Sequence, residues 1–252
     1  MNPNIEPKDY QAKAGCLKEK VILITGASDG IGKEAAKTFS SFGAETILIG
    51  KNQKKLEETY KEINDLGYVN PMLHEMNLLK SKETDYMEVI SAVENEYGRL
   101  DGLLCNAGIL GSKTTLSQYK YETWKEVNKV NLDSSFLMAK HSLPLMKKQE
   151  NASIIFTSSG VGRVGRAYWG AYSISKFGIE SLTQIFSDEL ETTSNIRVNC
   201  INPGATQTSM RKEAYPAEDP NNLAKPSEIM NAYLYLMSDE SLGFSGKSID
   251  AQ

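Results

Sequence analysis

The sequence predicts an α/β fold: a doubly wound, mostly parallel sheet of seven strands with helices on both faces. Three observations carry this expectation. Short apolar runs alternate with longer helical stretches along the chain, at the pitch of βαβ units. The runs are continuously apolar, as in Val21-Ile-Leu-Ile24, the pattern of strands buried on both faces. A glycine-rich turn, Thr25-Gly-Ala-Ser-Asp-Gly-Ile-Gly32, follows directly on the first run.

Taken in order, residues 1–19 read as a polar arm without periodicity, and residues 20–252 as one domain with no linker or low-complexity tract. The first strand is 21–24, and the glycine turn leads into a helix over 31–42. Thr46-Ile-Leu-Ile49 is the second strand, followed by a Lys- and Glu-rich helix over 52–66 that stops at Gly67. A short strand is expected near 69–76, a helix over 82–97 ending at Gly98, and a strand at Leu103-Leu-Cys105. Residues 121–148 predict a long helix, kinked near its end by Pro144. Ser153-Ile-Ile-Phe156 is a strand, 172–192 a helix and 196–201 a strand. Residues 202–225 read as an irregular polar segment. Pro226 then opens a last helix to about Met237, and 247–250 is a final edge strand. Right-handed crossovers place functional sites at the carboxyl ends of such strands.

Composition narrows the function classes. A chain of 252 residues can bury one large core. A formal charge of −4 with dispersed lysines gives no polyanion-binding footprint, so no nucleic-acid partner is expected. The polar N-terminal stretch, with Glu6, Lys8 and Asp9, is no secretory signal. No apolar run approaches the roughly 18 residues of a membrane span. Cys16, Cys105 and Cys200 are odd in number and far apart, and His74 and His141 lack ligand-like neighbours, so neither disulfides nor a metal is expected. A reducing cytoplasm is the expected compartment.

The glycine turn suits the pyrophosphate of a dinucleotide. Gly26, Gly30 and Gly32, with Ser28 and Ile31 between them, let backbone N–H groups approach phosphate, and the next helix adds the positive end of its dipole. After the second strand stands Gly50-Lys51-Asn52, without the carboxylate that binds a ribose 2′-hydroxyl. Lys51, helped by Ser28 and Asn52, suits a 2′-phosphate instead. NADP(H) is therefore favoured, with NAD(H) as the alternative, and Asp29 inside the turn weighs against the phosphate.

Tyr172-Ser-Ile-Ser-Lys176 stacks a phenol and an ammonium one turn apart on a helix. The lysine charge, with a nicotinamide cation, lowers a phenol's pKa towards neutrality. Ser159, just after a strand, is placed to hydrogen-bond a substrate carbonyl. These three groups beside a dinucleotide point to hydride transfer to a carbonyl, with Tyr172 as proton donor.

At this point the chain resembles the short-chain dehydrogenase/reductase family, from about Lys20 to Asp250. The resemblance rests on Gly26, Gly30 and Gly32, on Cys105-Asn106-Ala107-Gly108, on Asn131, on Ser159, Tyr172 and Lys176 with a thirteen-residue serine-to-tyrosine step, and on Pro203-Gly204 and Thr208. It implies a seven-stranded Rossmann fold and a catalytic set of Ser159, Tyr172, Lys176 and Asn131, the last holding a water linked to the lysine. It implies cofactor contacts from the glycine turn, Lys51, Asn52, Asn77, Leu78, Asn106, Ala107, Gly108, Pro203, Gly204, Thr206 and Thr208, and a homodimer or homotetramer built on helices 121–148 and 172–192. Asn77 replaces the family's adenine-side aspartate, and the ending Asp250-Ala-Gln252 replaces a glycine-rich terminus. That ending, with Phe156-Thr-Ser-Ser159 and Asn199-Cys-Ile-Asn-Pro-Gly204, also resembles the YciK-like bacterial oxidoreductases.

The expected activity is NADPH-dependent reduction of a ketone or aldehyde. The alternatives are reduction of a 3-oxoacyl thioester on a carrier protein, and a non-catalytic NADP sensor. Arg163 and Arg166, in the loop after Ser159, are placed either to bind an anionic substrate or a phosphopantetheine arm, or to form surface or intersubunit salt bridges. Tyr168 and Trp169 either wall an apolar pocket or pack between subunits, and residues 206–225 are either a mobile lid or a static loop.

Overall fold

The structure, a computed structural model, describes residues 6–252; the first five residues of the expected arm lie outside the described residues. Seven strands form one parallel sheet: β1 (Val21–Thr25), β2 (Glu45–Gly50), β3 (Met72–Glu75), β4 (Gly102–Cys105), β5 (Ala152–Thr157), β6 (Ile196–Asn202) and β7 (Ser248–Asp250). Their spatial order is β3-β2-β1-β4-β5-β6-β7, with Leu23 of β1 level with Ile47 on one side and Leu103 on the other. The helices between them are α1 (Gly30–Ser41), α2 (Gln53–Asp65), α3 (Glu83–Tyr97), α4 (Tyr121–Asn128), α5 (Ser134–Met146), α6 (Gly170–Leu190), α7 (Ser209–Ala214) and α8 (Met230–Met237).

The strand alternation divides the core in two. Leu23, Ile47, Leu103, Ile154 and Val198 face one side and pack with Val89 of α3, Met138 of α5 and Ile179 and Phe186 of α6. Ile22, Ile24, Leu48, Leu104 and Ile155 face the other and pack with Phe39 of α1, Ile63 of α2 and Tyr233 of α8. Successive Cβ atoms point to opposite faces, so a continuously apolar strand feeds both helix layers. Tyr10 and Leu17 join the second cluster, Tyr10 meeting Tyr235 edge-on at 5.5 Å.

Two departures from the expected elements bear on the site. The long helix is interrupted not at Pro144, which lies inside α5, but by a π turn at Lys129–Asp133 that joins α4 to α5 and carries Asn131. The polar segment after β6 contains a helix, α7, whose first turn is capped by Thr208 Oγ1 accepting from Arg211 N at 3.1 Å. From β1 the chain first builds outward to β3, then crosses to β4 on the other side. The carboxyl ends of β1 and β4 therefore flank the topological switch point, where open α/β sheets leave a crevice.

Candidate active site

A cleft of about 880 Å³ opens at that switch point. It gathers Gly26, Ser28, Asp29, Gly30 and Ile31 from the turn after β1, Lys51 and Asn52 after β2, Asn77 and Leu78 after β3, and Asn106, Ala107 and Gly108 after β4. Ser159, Tyr172, Lys176, Pro203, Gly204, Thr206 and Thr208 complete the set. Two of the expected residues, Gly32 and Asn131, stand behind the lining rather than in it.

The glycine turn is fitted closely to its neighbours. Gly26 has φ +71°, and a Cβ there would lie 3.0 Å from Ala107 Cα. At Gly32 a Cβ would fall 2.2 Å from the Gly26 carbonyl oxygen and 2.6 Å from Asn106 Nδ2. Asn106 N and Ala107 N both donate to Thr25 Oγ1 at 3.1 Å, which locks the β4 end to the β1 end. The first turn of α1 presents its N–H groups at this point, and a Cβ on Gly30 would lie 3.2 Å from Thr208 Cγ2 across a narrow cleft.

Asp29 does not stand free in the turn. Its Oδ1 accepts from Gly30 N at 2.8 Å, and its Oδ2 from Lys55 Nζ at 3.2 Å and Ser209 Oγ at 3.1 Å. Burial alone pushes this carboxyl up, but the hydrogen bonds from Lys55 and Ser209 and the Lys55 charge together bring it below the usual range. Asn52 caps α2, its Oδ1 accepting from Lys55 N at 3.0 Å, while Lys51 remains exposed on the cleft wall. Lys55 and Ser209 lay outside the expected site, because their roles come from contacts with Asp29 across 26 and 180 positions of the chain.

At the other end, β5 delivers Thr157, Ser158 and Ser159, and α6 delivers Tyr172 and Lys176 on one face. Lys176 Nζ donates to Thr157 O at 2.6 Å and lies 5.6 Å from the centre of the Tyr172 ring. Burial pulls the Lys176 pKa down to about 8. Burial pushes Tyr172 up to about 12, against a smaller opposing pull from its hydrogen bond with Ser159. Desolvation of the phenolate outweighs the Ser159 hydrogen bond, so Tyr172 is held as a proton-bearing phenol; the lowering expected from the sequence belongs to a phenol that faces the nicotinamide charge as well as Lys176.

Asn131 works from behind. Its Oδ1 accepts from Ile109 N at 2.8 Å, and its Nδ2 donates to Ile109 O at 3.0 Å and to Ser175 Oγ at 3.0 Å. The π turn thus ties the segment after β4 to α6, between Tyr172 and Lys176. π turns commonly mark such functional positions.

Other residues weighed from the sequence fall into place. Arg163 turns away from the cleft: its guanidinium holds Asp250 Oδ1 at 2.8 Å, Ile249 O at 2.9 Å and Ser248 Oγ at 2.9 Å, so of its two expected roles the salt bridge is the one formed. Trp169 lines the cleft, 5.6 Å from the Tyr172 ring, while Tyr168 is exposed. His141 Nε2 sits 3.0 Å from Glu83 Oε1. Burial pushes the Cys105 and Cys200 thiols up to about 12, which leaves them unreactive. Leu110 and Glu213, which also line the cleft, were not singled out in advance. No described helix is long and apolar enough to cross a membrane.

Comparison with known proteins agrees with this geometry. The family model for short chain dehydrogenases matches residues 20–219. The uncharacterized oxidoreductase YciK of Escherichia coli strain K12 is 43% identical over 243 residues, 96% of each chain. The 3-oxoacyl-[acyl-carrier-protein] reductase FabG of Thermotoga maritima is 36% identical over 242 residues, 92% of this chain and 96% of its own. A crystal structure from Escherichia coli CFT073, complexed with NADPH, is 43% identical and superposes with a TM-score of 0.93, covering 96% of this chain and 100% of that one. The chain belongs to the short chain dehydrogenase family, on its YciK-like side, and is an oxidoreductase of the CH–OH/C=O type that uses NAD(P).

Proposed function

We propose that the enzyme reduces a ketone or aldehyde to an alcohol with NADPH. The observation that carries this is the division of one cleft into two chemically distinct ends. Lys51, Asn52 and Ser28 stand at the end of β2, and Ser159, Tyr172 and Lys176 at the end of β5. Three strand spacings separate them, about 14 Å. That is a fitting length for an extended dinucleotide between its 2′-phosphate and its nicotinamide.

The residues fit the group. The glycine turn and the α1 N-terminus would hold the pyrophosphate. Lys51 and the N-terminus of α2 meet a 2′-phosphate, and the Asp29 charge is already compensated by Lys55. When bound, NADPH supplies the hydride to the carbonyl carbon. Tyr172 Oη gives its proton to the carbonyl oxygen, and the Ser159 hydroxyl hydrogen-bonds and orients that oxygen. Lys176, still mostly protonated at neutral pH, favours the phenolate as it forms and would hold the ribose hydroxyls. Asn131 fixes α6 against the cleft floor and positions both groups.

The same reading takes residues 20–252 as one domain in a reducing, cytoplasmic setting. It pairs two copies through α5 and α6, where Phe136, Ile174, Phe177 and Ile185 are exposed. NADPH binding followed by fluorescence, then NADPH consumption over a panel of ketones and aldehydes, tests the activity. Tyr172→Phe is expected to keep NADPH binding and lose about 10²–10⁴-fold in turnover. NADPH binding with no consumption by the wild type, and a cellular role that survives Tyr172→Phe, would favour the sensor instead.

A further inference from the structure

We propose that the catalytic end of the cleft selects an uncharged carbonyl compound with an apolar body, and discriminates against one that carries a carboxylate near its carbonyl. This rests on the carbonyl-reducing reading above. Three observations at that end carry it.

The first is the lining. Leu110, Trp169, Met210 and Ala214 border the cleft beside Tyr172 and belong to one apolar cluster with it. The short helix α7 brings Met210 and Ala214 into that cluster, and the Tyr215 ring just after it meets Trp169 at a 45° tilt, 5.9 Å between centres.

The second is the state of the cations. Among the described residues, those lining the cleft are Lys51, Lys55, Lys176 and Arg211. The first two stand at the far end, under the glycine turn. Lys176 is buried and committed to Thr157 O. Arg211 is bound in a two-pronged pair to Glu218, both bonds 2.6 Å, and lies on the Tyr215 ring. Nearby Lys113 is also engaged: its Nζ donates to Ala214 O at 2.8 Å and lies 4.7 and 4.4 Å from the Trp169 and Tyr215 ring centres. Arg163, Arg166 and Lys212 do not line the cleft.

The third is Glu213, an exposed carboxylate on the lining of this end. An anionic substrate would shed water against aliphatic and aromatic walls, find no uncommitted cation, and face a like charge. A neutral ketone presents one polar atom, its oxygen, to the Tyr172 and Ser159 hydroxyls.

Matched pairs test this, because they vary charge at a constant carbonyl: methyl 4-acetylbenzoate against 4-acetylbenzoate, methyl 4-oxocyclohexanecarboxylate against its free acid, and ethyl acetoacetate against acetoacetate. The expected result is a kcat/KM at least about tenfold higher for the neutral member of each accepted pair. Tryptophan emission of the NADP⁺-loaded enzyme should report tighter binding of the same member. Glu213→Lys, at an exposed position, should lower the neutral-to-anion ratio about fivefold or more by reversing the local charge. Equal or better use of the anion overturns the proposal while leaving carbonyl reduction intact. If no compound is bound or reduced although NADPH binds, the carbonyl-reducing reading fails and this one falls with it.

Discussion

Replacing Gly32 by alanine isolates the steric fit of the glycine turn. Gly32 needs no left-handed backbone, so the new methyl acts only through space. It would sit 2.2 Å from Gly26 O, 2.6 Å from Asn106 Nδ2 and 2.8 Å from Gly26 C, whereas real contacts do not fall below 3.0 Å. The turn must therefore move by close to 1 Å, and backbone rather than a flexible side chain has to give way. Overpacking of this kind costs about 1–3 kcal/mol. For a 252-residue chain the unfolding entropy is about 0.5 kcal/mol/K, so Tm should fall by roughly 2–6 °C. The same shift moves the N–H groups that face the pyrophosphate, and NADPH affinity should fall at least about tenfold, or 1.4 kcal/mol. Gly67→Ala is the control: its φ is +77° but a Cβ there meets open space, so it should strain the chain without touching NADPH binding. Thermal unfolding and NADPH titration of both variants decide the matter. A Gly32→Ala protein with wild-type Tm and wild-type NADPH affinity would refute the reasoning.

Two further outcomes follow from the same geometry. Lys176 has a folded pKa of about 8 against 10.5 for the free side chain. Below pH 8 both states hold the proton and the folded state bears the whole desolvation cost; between the two values only the unfolded chain holds it, so stability rises with pH by an amount on the order of 3 kcal/mol. Urea unfolding of the cofactor-free enzyme from neutral to alkaline pH should show this rise, and Lys176→Met should lack it; parallel curves would contradict it. Arg163→Ala removes the clamp between the Ser159 loop and β7, and should lower stability by about 1–2 kcal/mol, read as a drop in Tm. Because Gln252 Nε2, just beyond β7, donates to Pro203 O at 2.6 Å, NADPH binding should weaken too.

The sheet was legible because strands buried on both faces announce themselves as unbroken apolar runs, and the turn because close approach to backbone admits only glycine. Tyr172 and Lys176 were legible because helical spacing fixes their mutual position. Contacts between distant segments were not. Nothing local at Asp29 signals that Lys55 and Ser209 close on it, and nothing near Arg163 signals a partner at Asp250, 87 residues on. The π turn at Asn131 was hidden for a related reason: its sequence is ordinary helix, and the bulge is held by side-chain bonds to Ile109 and Ser175. The helix α7 was missed because six residues are too few for a periodic signal. Residue spacing also says nothing of how completely Tyr172 is buried, which is what pushes its phenol up to about 12.

The most direct measurement follows the transferred hydrogen itself. NADPH deuterated at the reactive nicotinamide carbon, an accepted neutral ketone and mass spectrometry of the product would locate it. The expected result is deuterium on the carbinol carbon with the wild type, and labelled alcohol formed about 10²–10⁴-fold more slowly with Tyr172→Phe. Labelled alcohol formed by Tyr172→Phe at the wild-type rate, or none formed by a wild-type enzyme that binds NADPH, would contradict the assignment of this cleft.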